Sequence, residues 1–178
     1  MIFFQVQMYA DMFLQVYFFF ISLYGWWKWK HPRIFEQTLT HELKITVNGW
    51  RSNFLMVFGI AVGFVALGTF IKNLHILLPQ WFELPATFPY FDSLVAVCSI
   101  VAMYLLARKK LESWVLWIIV DGICIVLFYL KGIKLISFEY AIFLMIASYG
   151  LWSWWKEYKG YHEQNDLERL RLSLAERC

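Results

Sequence analysis

The residues best suited to chemistry lie on one apolar run, 114–130, where Trp114, Trp117, Asp121, Cys124 and Phe128 step by three, four, three and four and so share one face of a helix. A carboxylate among aromatic rings is a receptor for a cationic heteroaromatic ring. Such a ring over Trp or Tyr gains about 0.5 to 2 kcal/mol from the ring quadrupole, and the carboxylate balances its charge. Placing Asp121 mid-span costs roughly 2.5 to 3.5 kcal/mol, so it must face protein or water rather than lipid. The bland alternative is a helix-packing hydrogen bond made while protonated. A second polar stripe runs along residues 3–27, where Gln7, Asp11, Gln15 and Ser22 are separated by four, four and seven residues. Asp11 lies nearer the outer end of its run than Asp121 does. The ionisable groups inside the runs are acidic, and no Lys or Arg lies centrally in one, so a phosphorylated ligand would meet like charge.

Other chemistries find no footing. His31, His41, His75 and His162 are scattered, and His41-Glu42 lacks the second His of a metalloprotease helix. There is no Gly-rich phosphate loop, no G-x-S-x-G elbow and no Cys-x-x-Cys, so neither an enzyme, a cofactor nor a metal site is expected. The three cysteines have neither a pairing count nor metal spacing. Asp92, just after Pro89, reads as a helix-capping residue, and Glu139 is close enough to its run's end to snorkel.

The elements that must position these groups are membrane spans. With 61% hydrophobic residues, ten Trp and a mean hydropathy of +0.54, a chain of 178 residues cannot hide its apolar surface in a soluble core. Five runs, 3–27, 54–71, 88–107, 114–130 and 135–155, are near the roughly 20 residues a bilayer demands. The first is not a signal peptide, because residues 1–10 carry no Lys or Arg and Asp11 interrupts the run. Lys28, Lys30 and Arg33, then Arg108, Lys109 and Lys110, then Lys156 and Lys159 mark cytoplasmic segments, whereas 79–90 has no basic residue. Lys131 and Lys134 argue weakly the other way. The expectation is an outside N-terminus and a cytoplasmic C-terminus.

The chain also repeats itself. YGWWKW at Tyr24 to Trp29 recurs 125 residues later as YGLWSW at Tyr149 to Trp154, with Phe3/Phe128, Phe13/Phe138, Phe18/Phe143 and Ile21/Ile146 in register. Both copies point the same way, which makes a parallel repeat about an axis along the membrane normal, and repeated membrane units are a transporter signature. A unit of three helices begins and ends on opposite sides, so one linker helix must stand between two units. Run 54–71, with Gly59-x-x-x-Gly63, is placed to be that linker. That logic demands three, one and three helices where one, one and three are visible, so two spans are expected upstream of Met1. The divisions are 1–30, last helix of a first bundle; 31–53, cytoplasmic loop; 54–78, linker helix; 88–156, second bundle; and 157–178, cytoplasmic tail, where Leu167, Leu170 and Leu174 suggest a short amphipathic helix.

The run IFFQVQMYADMFLQVYFFFISLYGWWKW, the stretch from Phe91 to Gly132, and the closing YAIFLMIASYGLWSWW resemble the PnuC family of vitamin transporters. The order Leu105, Leu106, Ala107, Arg108, Lys109, Glu112, Trp114 and Trp117 carries the match. The resemblance implies an all-α integral membrane protein of parallel bundles, similar in principle to SWEET-type sugar transporters. It further implies facilitated uptake of nicotinamide riboside across the inner membrane, trapping by a cytoplasmic kinase, and a homotrimer. Carried over by position, Gln15, Asp121, Tyr140 and Trp152 would line the site, and Asp11, Ser22 and Trp117 join them from the stripes above. Expected partners are the small-molecule substrate, the bilayer and further copies of the chain, with no nucleic acid. Thiamine is the alternative substrate, and a non-transporting membrane assembly protein the alternative class.

Overall fold

The computed structural model describes residues 2–33, 36, 42–77 and 88–175. The side chains of 2–13, 74, 75, 77 and several positions beyond 161 lie outside that description. The described chain forms five helices, α1 (Ile2–Lys30), α2 (Trp50–Leu77), α3 (Pro89–Ala107), α4 (Glu112–Leu130) and α5 (Lys134–Ala175). The protein is all-α and integral to the membrane. Among the described residues four stretches are long and apolar enough to cross a bilayer: Trp50–Asn73, Pro89–Ala107, Glu112–Leu130 and Lys134–Tyr161.

The interior is built around α3 and α4. A third of each of these spans is buried, 33%, against 6% for α2 and 11% for α5, so the latter two present most of their surface outward. Helix α3 packs against α1, α2 and α4, and α5 packs against α4. Between them Cys98, Val120 and Cys124 form one buried cluster, and Ala102, Leu105 and Leu116 a second. Because lipid is as apolar as Leu, helices meet where small residues let backbones approach. A Cβ on Gly25 of α1 would lie 3.1 Å from the Ala107 Cα, one on Gly63 of α2 would lie 3.2 Å from Val97, and one on Gly68 would lie 2.5 Å from the Tyr90 ring. Of the Gly59-Gly63 pair only Gly63 meets α3, since nothing lies within 4 Å of a Cβ on Gly59.

The connections are tight. Helix α4 stops at Gly132, whose φ of +78° suits a residue without a Cβ, while the Ile133 amide donates to the Phe128 carbonyl at 2.9 Å. Ser137 Oγ then donates to the Ile125 carbonyl at 2.9 Å, fixing the start of α5 on α4. Helix α5 runs unbroken for 42 residues, so the tail bearing Leu167, Leu170 and Leu174 continues it rather than forming a separate element. At the opposite end the loop before α2 is docked rather than loose. The Thr46 amide donates to the Lys109 carbonyl and the Leu111 amide to the Thr46 carbonyl, both at 3.1 Å, while Glu112 Oε1 accepts the Asn48 amide at 2.6 Å. Leu43 and Ile45 are buried under that latch.

Gly150 shows how little room the α4/α5 contact leaves, because a Cβ there would sit 2.7 Å from the Trp114 ring. Gly150→Ala gains helix propensity but overpacks the contact, and we expect a net loss of roughly 1 to 3 kcal/mol of stability, read as a lower unfolding temperature in detergent. Gly59→Ala gains the same propensity without a neighbour to displace, so its unfolding temperature should not fall. Equal shifts in the two variants would contradict the contact.

Candidate functional site

The face of α4 that the spacing picks out is turned inward. Asp121 is 3% exposed and Cys124 1%, and Val120 is buried beside them. Helix α3 supplies Cys98 across from this face, and α5 supplies Tyr140, which faces Cys124 and stacks on Phe128 with centroids 5.4 Å apart and planes 9° from parallel. Helix α1 reaches the same wall through Phe18, whose ring meets the Trp117 ring edge-on at 6.4 Å. Tyr17, next to it, donates from its hydroxyl to the Ile100 carbonyl at 3.0 Å and so anchors α1 on α3. Trp117, Asp121, Cys124, Phe128 and Tyr140 therefore share one wall contributed by two helices and touched by a third.

Among the described residues the Asp121 carboxyl has neither a hydrogen-bond donor nor an ion-pair partner. A carboxyl this well removed from water costs free energy to ionise, which a cationic ligand would offset. Asp92 differs: its carboxylate pairs with Lys131 Nζ at 3.2 Å, so the charge at the start of α3 is already matched.

Toward the basic end a chain of indoles closes the wall. Trp114 meets Trp154 edge-on at 5.3 Å, Trp154 meets Trp29 at 6.1 Å, and Trp29 Nε1 donates to the Ala107 carbonyl at 3.0 Å. Lys109, held at a φ of +52°, places Nζ 5.4 Å from the Trp29 ring centre. Trp114 Nε1 is buried and has no acceptor among the described residues, which leaves a donor in this layer.

The predicted site residues divide. Trp117, Asp121 and Tyr140 come together. Gln15 and Ser22 stand three before and four after Phe18 on α1, on the stripe that meets Trp117, yet both are exposed. Trp152 is 59% exposed on α5, where it packs on Tyr149 and under Lys156. The Asp11 side chain lies outside the described residues. Sequence reading passed over Phe18 and Trp29 as site elements, although the repeat marked both: Phe18 matches Phe143, which packs on Tyr140, and Trp29 matches Trp154.

A family model described as nicotinamide mononucleotide transporter matches residues 1–156. The chain belongs to this family. It is 34% identical over 170 residues to the nicotinamide riboside transporter PnuC of Escherichia coli (strain K12), covering 86% of this chain and 69% of that protein. Against the riboflavin/roseoflavin transporter RibM of Streptomyces davaonensis it is 28% identical over 135 residues, covering 76% of this chain and 59% of the other. The nicotinamide riboside transporter PnuC of Neisseria mucosa is 29% identical over 154 residues, 81% of this chain and 54% of that one. No solved structure matches. Members of this family are transporters rather than enzymes, so the wall around Asp121 in this family member is to be read for binding and release rather than for bond chemistry.

Proposed function

We propose that this chain carries nicotinamide riboside into the cell by facilitated diffusion, with the pyridinium ring against Trp117 and Tyr140 and its charge against Asp121. The observation that carries the reading is the burial of Asp121, 3% exposed, on the same wall as those rings. A phosphorylated nucleotide would bring its anion toward that carboxylate, and a flavin would leave it unmatched, so the site's charge favours an unphosphorylated cation over nicotinamide mononucleotide or riboflavin. Thiamine shares the cationic chemistry and stays the alternative. Gln15, Ser22, Trp152 and Asp11 belong to the reading as residues the substrate meets on its path.

The parallel repeat belongs to it as well. Trp29 and Trp154 are repeat equivalents that touch each other, which is where a pseudo-two-fold axis would pass, and rocking of two bundles about that axis would open the indole layer. The end of α1, the turn after α3 and the middle of α5, which carry Lys28, Lys109 and Lys156, lie together, which supports a cytoplasmic C-terminus in the inner membrane. The homotrimer implied by the family resemblance completes the proposal.

Competition against labelled nicotinamide riboside on the purified protein tests the charge assignment. Its 5′-phosphate and riboflavin are each expected to compete at least about tenfold more weakly than the unlabelled riboside, since like charge or an unpaired carboxylate costs more than 1.4 kcal/mol. Equal competition by the phosphate would overturn the role given to Asp121.

A further inference from the structure

A groove separates α2 from α3 at the end where Trp50 lies level with Ala107, and it encloses about 360 Å³. It backs onto the wall around Asp121, since Ile60 both lines the groove and packs against the Cys98, Val120 and Cys124 cluster, but neither Asp121 nor the rings of that wall line it. Its mouth is polar and cationic, formed by Asn48, Ser52, Arg108 and Lys110. Its wall is apolar, with half-buried Met56, Ile60 and Val101 on the inner side and exposed Leu55 on the outer, and Gly59 leaves open space because no atom lies within 4 Å of a Cβ placed there. Such a volume is at the lower end of the roughly 300 to 1,000 Å³ of small-molecule sites, enough for a headgroup and the first part of a chain.

The cations at this mouth differ from their neighbours. Lys28, Lys109 and Lys131 each lie within 4.0 Å of a carboxylate, Glu36, Glu42 and Asp92 respectively. Among the described residues Arg108 and Lys110 have no such partner. Arg108 donates to the Tyr104 hydroxyl at 2.9 Å and lies over that ring, which holds the guanidinium at the groove. Burial lowers the pKa of the Lys110 ammonium from its ordinary value, the nearby Glu112 opposing and Arg108 reinforcing the shift. The Glu112 carboxylate accepts the Asn48 amide through Oε1, while its buried Oε2 has no hydrogen-bond partner among the described residues. Trp50, 77% exposed and packed on Phe54, begins α2 between the lining residues Asn48 and Ser52, and an exposed indole at a helix end is typical of headgroup depth.

We propose that this groove binds one anionic phospholipid, its phosphate between Arg108 and Lys110 and the start of an acyl chain along Leu55, Gly59 and Ile60. The charge of the mouth selects the headgroup and the apolar depth selects a lipid over a soluble phosphate. A lipid seated there joins the sparsely buried α2 to α3 above the Gly63 contact.

The test is native mass spectrometry of the purified protein after equilibration in vesicles of equal phosphatidylglycerol and phosphatidylcholine. Phosphatidylglycerol should be retained over phosphatidylcholine by on the order of tenfold, as two interfacial cations imply. The double variant Arg108→Gln/Lys110→Gln should lose that preference while keeping its helical circular dichroism. Gly59→Leu, which fills the groove and leaves the charges in place, should lower retention of phosphatidylglycerol. Equal retention of the two lipids, or an unchanged preference in the double variant, overturns the proposal. So does displacement of the lipid by millimolar inorganic phosphate, which would make the mouth a free-anion site. A copy-to-copy disulfide formed readily through Gly59→Cys in the same vesicles would put protein where the lipid is placed and likewise overturn it.

Discussion

Asp121→Asn is expected to weaken binding of nicotinamide riboside by about tenfold to a hundredfold while leaving its reduced, uncharged form within about twofold. The substitution keeps the size of the side chain, so packing against Cys98, Val120 and Cys124 is preserved and the change is one of charge. A hydrogen bond or contact to a charged group in a site this dry contributes roughly 1.5 to 3 kcal/mol, and only the oxidised ring carries the charge. Trp117→Ala is the companion, since removing the ring should weaken both ligands and the cation more. Both affinities can be read from quenching of the intrinsic tryptophan fluorescence. If Asp121→Asn weakens the charged and uncharged rings equally, the carboxyl is a packing group and the binding wall must be placed elsewhere.

What the sequence disclosed follows from what periodicity encodes. The five apolar runs coincide with α1 to α5 because a hydrocarbon solvent requires every span to be a helix. The inward face of α4 was legible because a carboxyl and two indoles at helical spacing have one tolerable side to face. Gln15 and Ser22 were harder: their spacing fixes a stripe on α1, and that stripe meets Trp117 through Phe18, but spacing alone does not say which residues along it are covered. Contacts between apolar faces were not legible at all, since lipid and neighbouring helix select the same residues. The signals that survive are the small ones, Gly25 on Ala107 and Gly150 on Trp114, and both belong to the repeated Tyr-Gly-x-Trp-x-Trp endings. Those endings read as interface anchors, yet their last indoles touch each other across the molecule. The latch of Thr46 and Asn48 on the α3/α4 turn rests on backbone amides, which carry no side-chain pattern.

With the membrane potential clamped at zero, reconstituted protein should equilibrate labelled nicotinamide riboside across a vesicle membrane to an inside-to-outside ratio of one, with or without a pH or sodium gradient. A proton-coupled carrier needs a titrating group that is exposed in turn to each side and relayed onward. Here the wall around Asp121 is continued by Cys98, Val120 and Cys124 on one side and by the rings of Phe128 and Tyr140 on the other, neither of which is a chain of carboxyl, imidazole and amine groups. Asp92, at the start of α3, is paired with Lys131, and among the described residues the basic end is closed by indoles. On the proposed reading the charge on Asp121 is the counterpart of the substrate's own charge, and the electrochemical gradient of the substrate cation alone sets the direction of flux. The alternative is easily told apart, because one unit of pH is worth about 1.4 kcal/mol per proton and would drive about tenfold accumulation through a one-proton symporter. Accumulation of that size, collapsing when a protonophore is added and absent in Asp121→Asn, would make Asp121 the proton carrier and end the facilitated-diffusion reading.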